Sequence, residues 1–322
     1  MTISRRSVLK RGAAAAAALL LPPLPACAAT GEQQQGSLIT KAIPSTGEKL
    51  PVIGLGSAGT FNLRPDSPEA ADAREVMRLF RELGGKVIDT APTYQRSELF
   101  IGESIQQLGI GDSLFLATKV NVGDAGKEAA IEQMENSLRV FGRKTVDLIQ
   151  VWNLGGSIRA LSAATLAEHL DVLREFKKAG KIRYLGITTS RDPQYADVEA
   201  AMKTYPLDFV QLDYSIGDRI PEERLLPLAK EKGIAVLTNR PFTTGNLFAR
   251  VAGKPVPSWA AEFDATTWAQ FFLKFVVSHP AVTCAIPATS QPKHLRDNMG
   301  ACVGRLPDEA TRKRMAEVFA TL

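Results

Sequence analysis

The chain is poor in the residues that build several alternative functions. It has three cysteines and three histidines in 322 residues. Three cysteines cannot frame a disulfide scaffold, and no C-x-x-C pair or Cys/His cluster marks a metal site, so no metal is expected. Cys284 lies in an apolar run and reads as a core thiol, as does Cys302. Long hydrophobic runs are also missing. The longest candidate, Gly12 to Leu21, is too short for a stable bilayer-spanning helix, which needs about 20 residues. Acidic residues are absent from the first 28 positions, which carry Arg5, Arg6, Lys10 and Arg11. Beyond them stand 35 basic and 34 acidic residues, so the net charge of +5 belongs mostly to the N-terminus. The basic pI of 9.1 is therefore no argument for nucleic-acid binding.

That N-terminus has its own pattern. Ser4-Arg5-Arg6-Ser7-Val8-Leu9-Lys10 precedes the apolar stretch and a Pro-rich segment. It resembles a twin-arginine export signal, with Val8 where Phe is usual. Ala26-Cys27-Ala28 fits a small-x-small cleavage site after Ala28. Leu24-Pro25-Ala26-Cys27 also resembles a lipoprotein box, so lipid anchoring at Cys27 is the lesser alternative. Residues 1–28 are expected to be a signal peptide and 29–37 a flexible spacer. The twin-arginine translocase would be a transient partner and the periplasm the destination. This route generally moves proteins already folded, which suits a protein that loads a cofactor first.

From residue 38 to 322 no linker rich in Pro, Gly or Ser divides the chain, and nothing repeats except an alternation of strand and helix. Short uninterrupted apolar runs fall near 52–55, 87–89, 114–118, 146–151, 184–187, 209–212, 235–237 and 282–286. Strands covered on both faces read this way. Amphipathic stretches lie between them at 68–83, 97–108, 128–140, 166–179, 193–203, 225–232, 266–277 and 292–298, with a last helix at 307–319. Residues 39–51, with Ser45-Thr46-Gly47 as turn, read as a hairpin. Eight β-α units in order predict an α/β (β/α)8 TIM barrel with this hairpin at its floor and its site at the C-terminal strand ends.

Two strand ends carry chemistry rather than packing. One reads Val87-Ile88-Asp89-Thr90-Ala91-Pro92-Thr93-Tyr94, the other Leu116-Ala117-Thr118-Lys119. A phenol with an unperturbed pKa of about 10 is a poor acid–base group, and a neighbouring cation lowers that value.

These segments, taken with others in order, resemble the aldo-keto reductase family over about residues 39–298. Gly54-Leu55-Gly56 resembles its first strand. Asp89-Thr90-Ala91 with Tyr94, Ser97-Glu98 and Ile101-Gly102 resembles its signature, and Thr118-Lys119 its third strand. Asp147-Leu148-Ile149-Gln150-Val151 with Asn153-Leu154 resembles its fourth. Gly180-Lys181-Ile182-Arg183-Tyr184-Leu185-Gly186 and the tail from Ile286-Pro287 to Asn298 complete the match. The resemblance implies an NAD(P)-dependent oxidoreductase for an aldehyde, ketone or sugar-like carbonyl. Tyr94 would be the proton donor, Lys119 would lower its pKa, and Asp89 would hold the lysine.

The cofactor would be NADP, with NAD open because Ala288 replaces a frequent Lys. Gly56 and Ser57 would line its site. Thr188 and Thr189 stand where a Ser-Asn pair holds the nicotinamide amide, and Gln211 shares that role. Asn239, Arg240, Pro241 and Phe242 replace a segment with a stacking aromatic. Thr289, His294 and Asn298 would embrace the adenosine end. One departure is sharp: the family's fourth-strand His is here Trp152, placed in the substrate pocket. An indole N–H donates one hydrogen bond, accepts none and does not titrate. Neither His169 nor His279 substitutes for it; both read as structural. Phe61, Trp259 and Phe263 are either further apolar liners or packing residues. Trp152 supports the alternative of a weak or inactive barrel that binds NAD(P)H or another ligand as a sensor or partner-binding protein.

Overall fold

In the computed structural model, residues 37–154, 161–189 and 194–322 are described. The proposed signal peptide and most of the spacer lie outside them.

An antiparallel hairpin, β1 (Thr40–Ala42) and β2 (Lys49–Pro51), comes first. Eight parallel strands follow: β3 (Leu55–Gly56), β4 (Val87–Asp89), β5 (Phe115–Val120), β6 (Val146–Val151), β7 (Ile182–Thr188), β8 (Phe209–Asp213), β9 (Ala235–Asn239) and β10 (Val282–Ala285). They pair in chain order, β3 to β10. The first and last strands also meet. Ile53 bridges Ala285 and Gly56 bridges Ala288, with Gly54 N donating to Ala285 O at 2.8 Å. The predicted (β/α)8 barrel is therefore closed. The first strand is shorter than its apolar run because it divides between two neighbours: 52–54 reach β10, and 55–56 pair with β4.

Helices lie between the strands and after the last of them: α1 (Pro68–Glu82), α2 (Ser97–Leu108), α3 (Lys127–Phe141), α4 (Ala163–Lys178), α5 (Tyr195–Thr204), α6 (Leu225–Lys232), α7 (Asn246–Arg250), α8 (Trp268–Ser278), α9 (Pro292–Gly300) and α10 (Glu309–Ala320). Ser162 caps α4 by accepting from Thr165 N at 3.0 Å, and Asp308 caps α10 by accepting from Thr311 N at 2.8 Å. Gly102 lets α2 pack on α3, since a Cβ there would fall 2.1 Å from Val140 O.

Two cores follow from the strand period. Outward residues such as Ile88, Ile149 and Val210 meet the helices. Inward residues fill the barrel floor: Phe115, Tyr184 and Phe209 pack with centroids 5.5–5.9 Å apart, closed below by Ile43 and Leu50 of the hairpin. Each such ring contributes about 1.5–3 kcal/mol of burial. The floor is thus solid, and a ligand can enter only from the opposite end.

Three expected features are structural. The ring nitrogens of His169 are taken by Thr165 O and Val122 N. His279 is pushed down to about 4 by burial and by nearby Arg312. Cys284 and Cys302 are buried free thiols.

Candidate active site

At the upper end of the barrel the polar strand ends converge. Lys119 leaves β5 beside β4, and its Nζ donates to Asp89 Oδ2 at 2.6 Å and to Thr90 O at 2.8 Å. Both side chains are almost wholly buried. From β8, on the opposite wall, Gln211 Nε2 donates to Asp89 Oδ1 at 2.8 Å. The Asp89 carboxylate therefore stands near the barrel axis with one donor on each oxygen. Burial alone would push the Lys119 ammonium down, but Asp89 and the Tyr94 phenol outweigh it and its pKa is raised.

Tyr94 sits in the turn after β4. Its N–H donates to Ala91 O at 3.0 Å, its carbonyl accepts from Ser97 N at 3.0 Å, and Gln95 behind it is left-handed at φ 56°. Lys119 Nζ lies 5.1 Å from the centre of its ring. Trp152 follows β6, held by its N–H to Val120 O at 2.9 Å and by Asn121 Nδ2 to its carbonyl at 2.8 Å. Asn153 after it is also left-handed, at φ 58°. Such residues cost about 1–3 kcal/mol each and cluster where a side chain must be aimed. The Lys119 ammonium and the Trp152 indole both act on the Tyr94 hydroxyl, each favouring its ionised form.

One expectation changes here. Lys119 does pull the phenol down, as does the indole, but burial acts in the opposite sense and is larger. The Tyr94 pKa is raised. Proximity to a cation was visible in the sequence; the depth of the phenol was not.

A cleft of about 860 Å³ opens over this set. Asp89, Tyr94, Trp152, Thr188 and Gln211 line one end. Gly56, Ser57, Asn239, Arg240, Pro241, Phe242, Thr289, His294 and Asn298 line the rest. Lys119 lies beneath Tyr94, and Thr189 lies behind the wall. Thr189 is fully buried, with its hydroxyl on Gln194 and its carbonyl accepting from Asn239 Nδ2 at 3.3 Å. Arg240, left-handed at φ 48°, pairs with Asp213 at 2.7 Å. Phe61 packs on Phe100 in the core, and Trp259 and Phe263 pack on Phe271; none of the three lines the cleft.

Other liners were not foreseen. Thr244, Gly245 and Phe248 belong to the β9–α7 connection and α7, while Asp297 projects from α9. Phe248 packs on Phe242 with centroids 4.9 Å apart and remains 39% exposed. Asp297 had a signal that was not used: it stands in the tail pattern, one residue before Asn298. Phe248 had no signal beyond being apolar in a helix too short to show a period.

The cleft fits an elongated polar ligand. Gly56, which lines the cleft, lets the end of β3 lie against the chain after β10, since a Cβ there would fall 2.7 Å from Ile286 O and 3.5 Å from the Ala288 Cβ. Ser57 Oγ and Asn239 Oδ1 are buried without a partner among the described residues, so they await one. Thr289 Oγ1 accepts from Gln291 N at 3.0 Å just before α9, whose first turn presents His294 to the cleft. A helix start is a favourable place for phosphate. Among the described residues no group of His, Cys, Asp and Glu is arranged to hold a metal.

The model of the Aldo/keto reductase family matches residues 52–316. The chain belongs to that family. It is 30% identical over 234 residues to aldo-keto reductase YhdN of Bacillus subtilis, a match spanning 69% of this chain and 66%, just under two thirds, of that protein. It is 28% identical over 265 residues to methylglyoxal reductase YeaE of Escherichia coli, covering 80% and 88%. Among solved structures, an aldo-keto reductase from Klebsiella pneumoniae in complex with NADPH superposes with a TM-score of 0.71 at 23% identity, over 88% of this chain and 96% of that one. This aldo-keto reductase chain therefore carries the family's barrel, with its strand-end acid, lysine and phenol at one mouth.

Proposed function

We propose that the protein is an NADP-dependent reductase of aldehydes, ketones or sugar-like carbonyls in which Trp152 takes the place of the usual catalytic histidine. The observation that carries this reading is the Asp89–Lys119–Tyr94 set opening onto a cleft in which Ser57 Oγ and Asn239 Oδ1 lack a partner among the described residues. Similarity to a structure that holds NADPH supports the cofactor. When bound, reduced nicotinamide supplies the hydride. Gly56, Ser57, Asn239 and the start of α9 would hold the dinucleotide, with Thr289, His294 and Asn298 at its far end. Tyr94 gives its proton to the carbonyl oxygen as that oxygen gains charge, and the Lys119 ammonium and the Trp152 indole N–H stabilise the phenolate left behind. Water then returns the proton to Tyr94. Asp89 holds Lys119 in place.

The N-terminal pattern supports export by the twin-arginine translocase to the periplasm, with cleavage after Ala28 and lipidation at Cys27 as the alternative. Because no fresh NADPH is expected there, the protein would keep its cofactor across turnovers, oxidising one substrate to reload the nicotinamide with hydride and reducing another. The test is purification from the periplasm, N-terminal sequencing, and titration with NADPH and NADH. Ala29 as first residue and a saturable NADPH site are expected. An empty site without affinity for either nucleotide would refute the reductase reading.

A second test concerns the indole. With the remaining set intact, Trp152→His should raise kcat/KM for a small aldehyde by roughly 10²-fold, the scale of one added acid–base group. It should also add a pH limb near the ordinary histidine value of about 6.5, which the parent protein lacks. No gain in rate would favour the second reading, a ligand-binding barrel of low activity, for which Trp152 is the supporting observation.

A further inference from the structure

Gln150 is the most anomalous side chain near the site. It is wholly buried, yet among the described residues neither its amide nitrogen nor its oxygen has a partner. On β6 it pairs in register with Lys119 of β5 and Gly186 of β7. Leu148, two residues earlier, belongs to the interior cluster, so Gln150 points into the barrel as well. An amide buried without partners is destabilising, and such groups call for a reason.

The reason lies with its neighbours. Asp89 on β4 is reached from β8 by Gln211, so its carboxylate stands between those opposite walls. Strand β6 lies midway between β4 and β8. Gly186 presents no side chain between Gln150 and the strand that carries Gln211. Gln211 meanwhile faces two demands. It lines the cleft, but one N–H of its amide is held by Asp89, which fixes the direction of the whole amide.

We propose that Gln150 is a positioning residue that replaces Gln211 as the amide donor to Asp89 when Gln211 turns to a bound nicotinamide carboxamide. The exchange rests on the nicotinamide reading above. It keeps a donor on each oxygen of Asp89 in both states, so that Lys119 stays aimed at Tyr94 while the cleft is filled.

The test compares the parent with Gln150→Leu, and with Gln150→Met in case the first does not fold. The cofactor-free variants should melt at the parent's temperature or higher, because an unpartnered amide has been removed. Loaded with NADPH, they should lose about tenfold in kcat, the scale of one hydrogen bond to a charged group, and their pH profile should shift. A crystal structure of the parent with NADPH should show Gln150 Nε2 on Asp89 and Gln211 turned away. Gln211 still on Asp89 in that crystal would overturn the proposal, as would a parental kcat and pH profile in both variants. A parent protein that binds no nicotinamide cofactor overturns the functional reading itself and the exchange with it, and that is seen before any substitution is made.

Discussion

Tyr94→Phe is expected to lower kcat for aldehyde reduction by at least about 10²-fold at neutral pH, with NADPH affinity unchanged. Among the described residues, the phenol O–H is the only proton at this end of the cleft that is both titratable and placed over open space. The Lys119 ammonium is already committed to Asp89 and Thr90 O. The pH dependence follows from the raised Tyr94 pKa, which burial sets against the opposing pull of Lys119. The acid form persists through neutrality, so reduction should hold constant there and fall only as pH rises through the raised phenol value. Oxidation of the corresponding alcohol needs the phenolate and should rise over the same interval. Steady-state rates in both directions across pH check this. A Tyr94→Phe variant with the parent's kcat would remove Tyr94 from the chemistry.

Much of this geometry was legible in the sequence, for a physical reason. Parallel strands covered on both faces must be apolar, so the runs at 87–89 and 146–151 matched their strands to the residue. Several other boundaries came out short at the C-terminal end, although β7 also begins two residues before 184 and β10 stops one short of 286. β5 runs two residues past Thr118 to include Lys119, β8 one past Leu212 to include Asp213, and β9 two past Leu237 to include Asn239. An apolar-run criterion stops at the first polar residue. In a barrel with its site at the strand C-termini, those polar residues are the site.

The β9–α7 connection was illegible for a different reason. Arg240, Thr243 and Thr244 are left-handed without being glycine, a conformation that no local preference predicts. Only the surrounding fold can impose it, and α7, at five residues, is too short to show a helical period. The pairing of Gln211 with Asp89 was hidden as well, since it joins residues 122 positions apart across the barrel.

The second large effect concerns stability rather than rate. Lys119→Met leaves the Asp89 carboxylate buried with Gln211 as its one remaining side-chain donor, and should cost about 3–5 kcal/mol in urea denaturation. Asp89→Leu strands the ammonium in the same interior, with Thr90 O as its remaining acceptor and the Tyr94 ring beside it, and should cost a similar amount. The double variant should recover most of either loss, because a well-packed apolar pair replaces two charges whose desolvation their attraction only roughly balances. Recovery should stop short of the parent, since Gln211 then faces a leucine. Aldehyde reduction should stay lost in all three. Additive losses in the double variant would mean that the two side chains stabilise the barrel independently. The expected pattern separates two roles: if the fold does nearly as well without the pair as with it, its presence at the axis is explained by what it does to Tyr94, whose phenolate needs a cation that cannot wander.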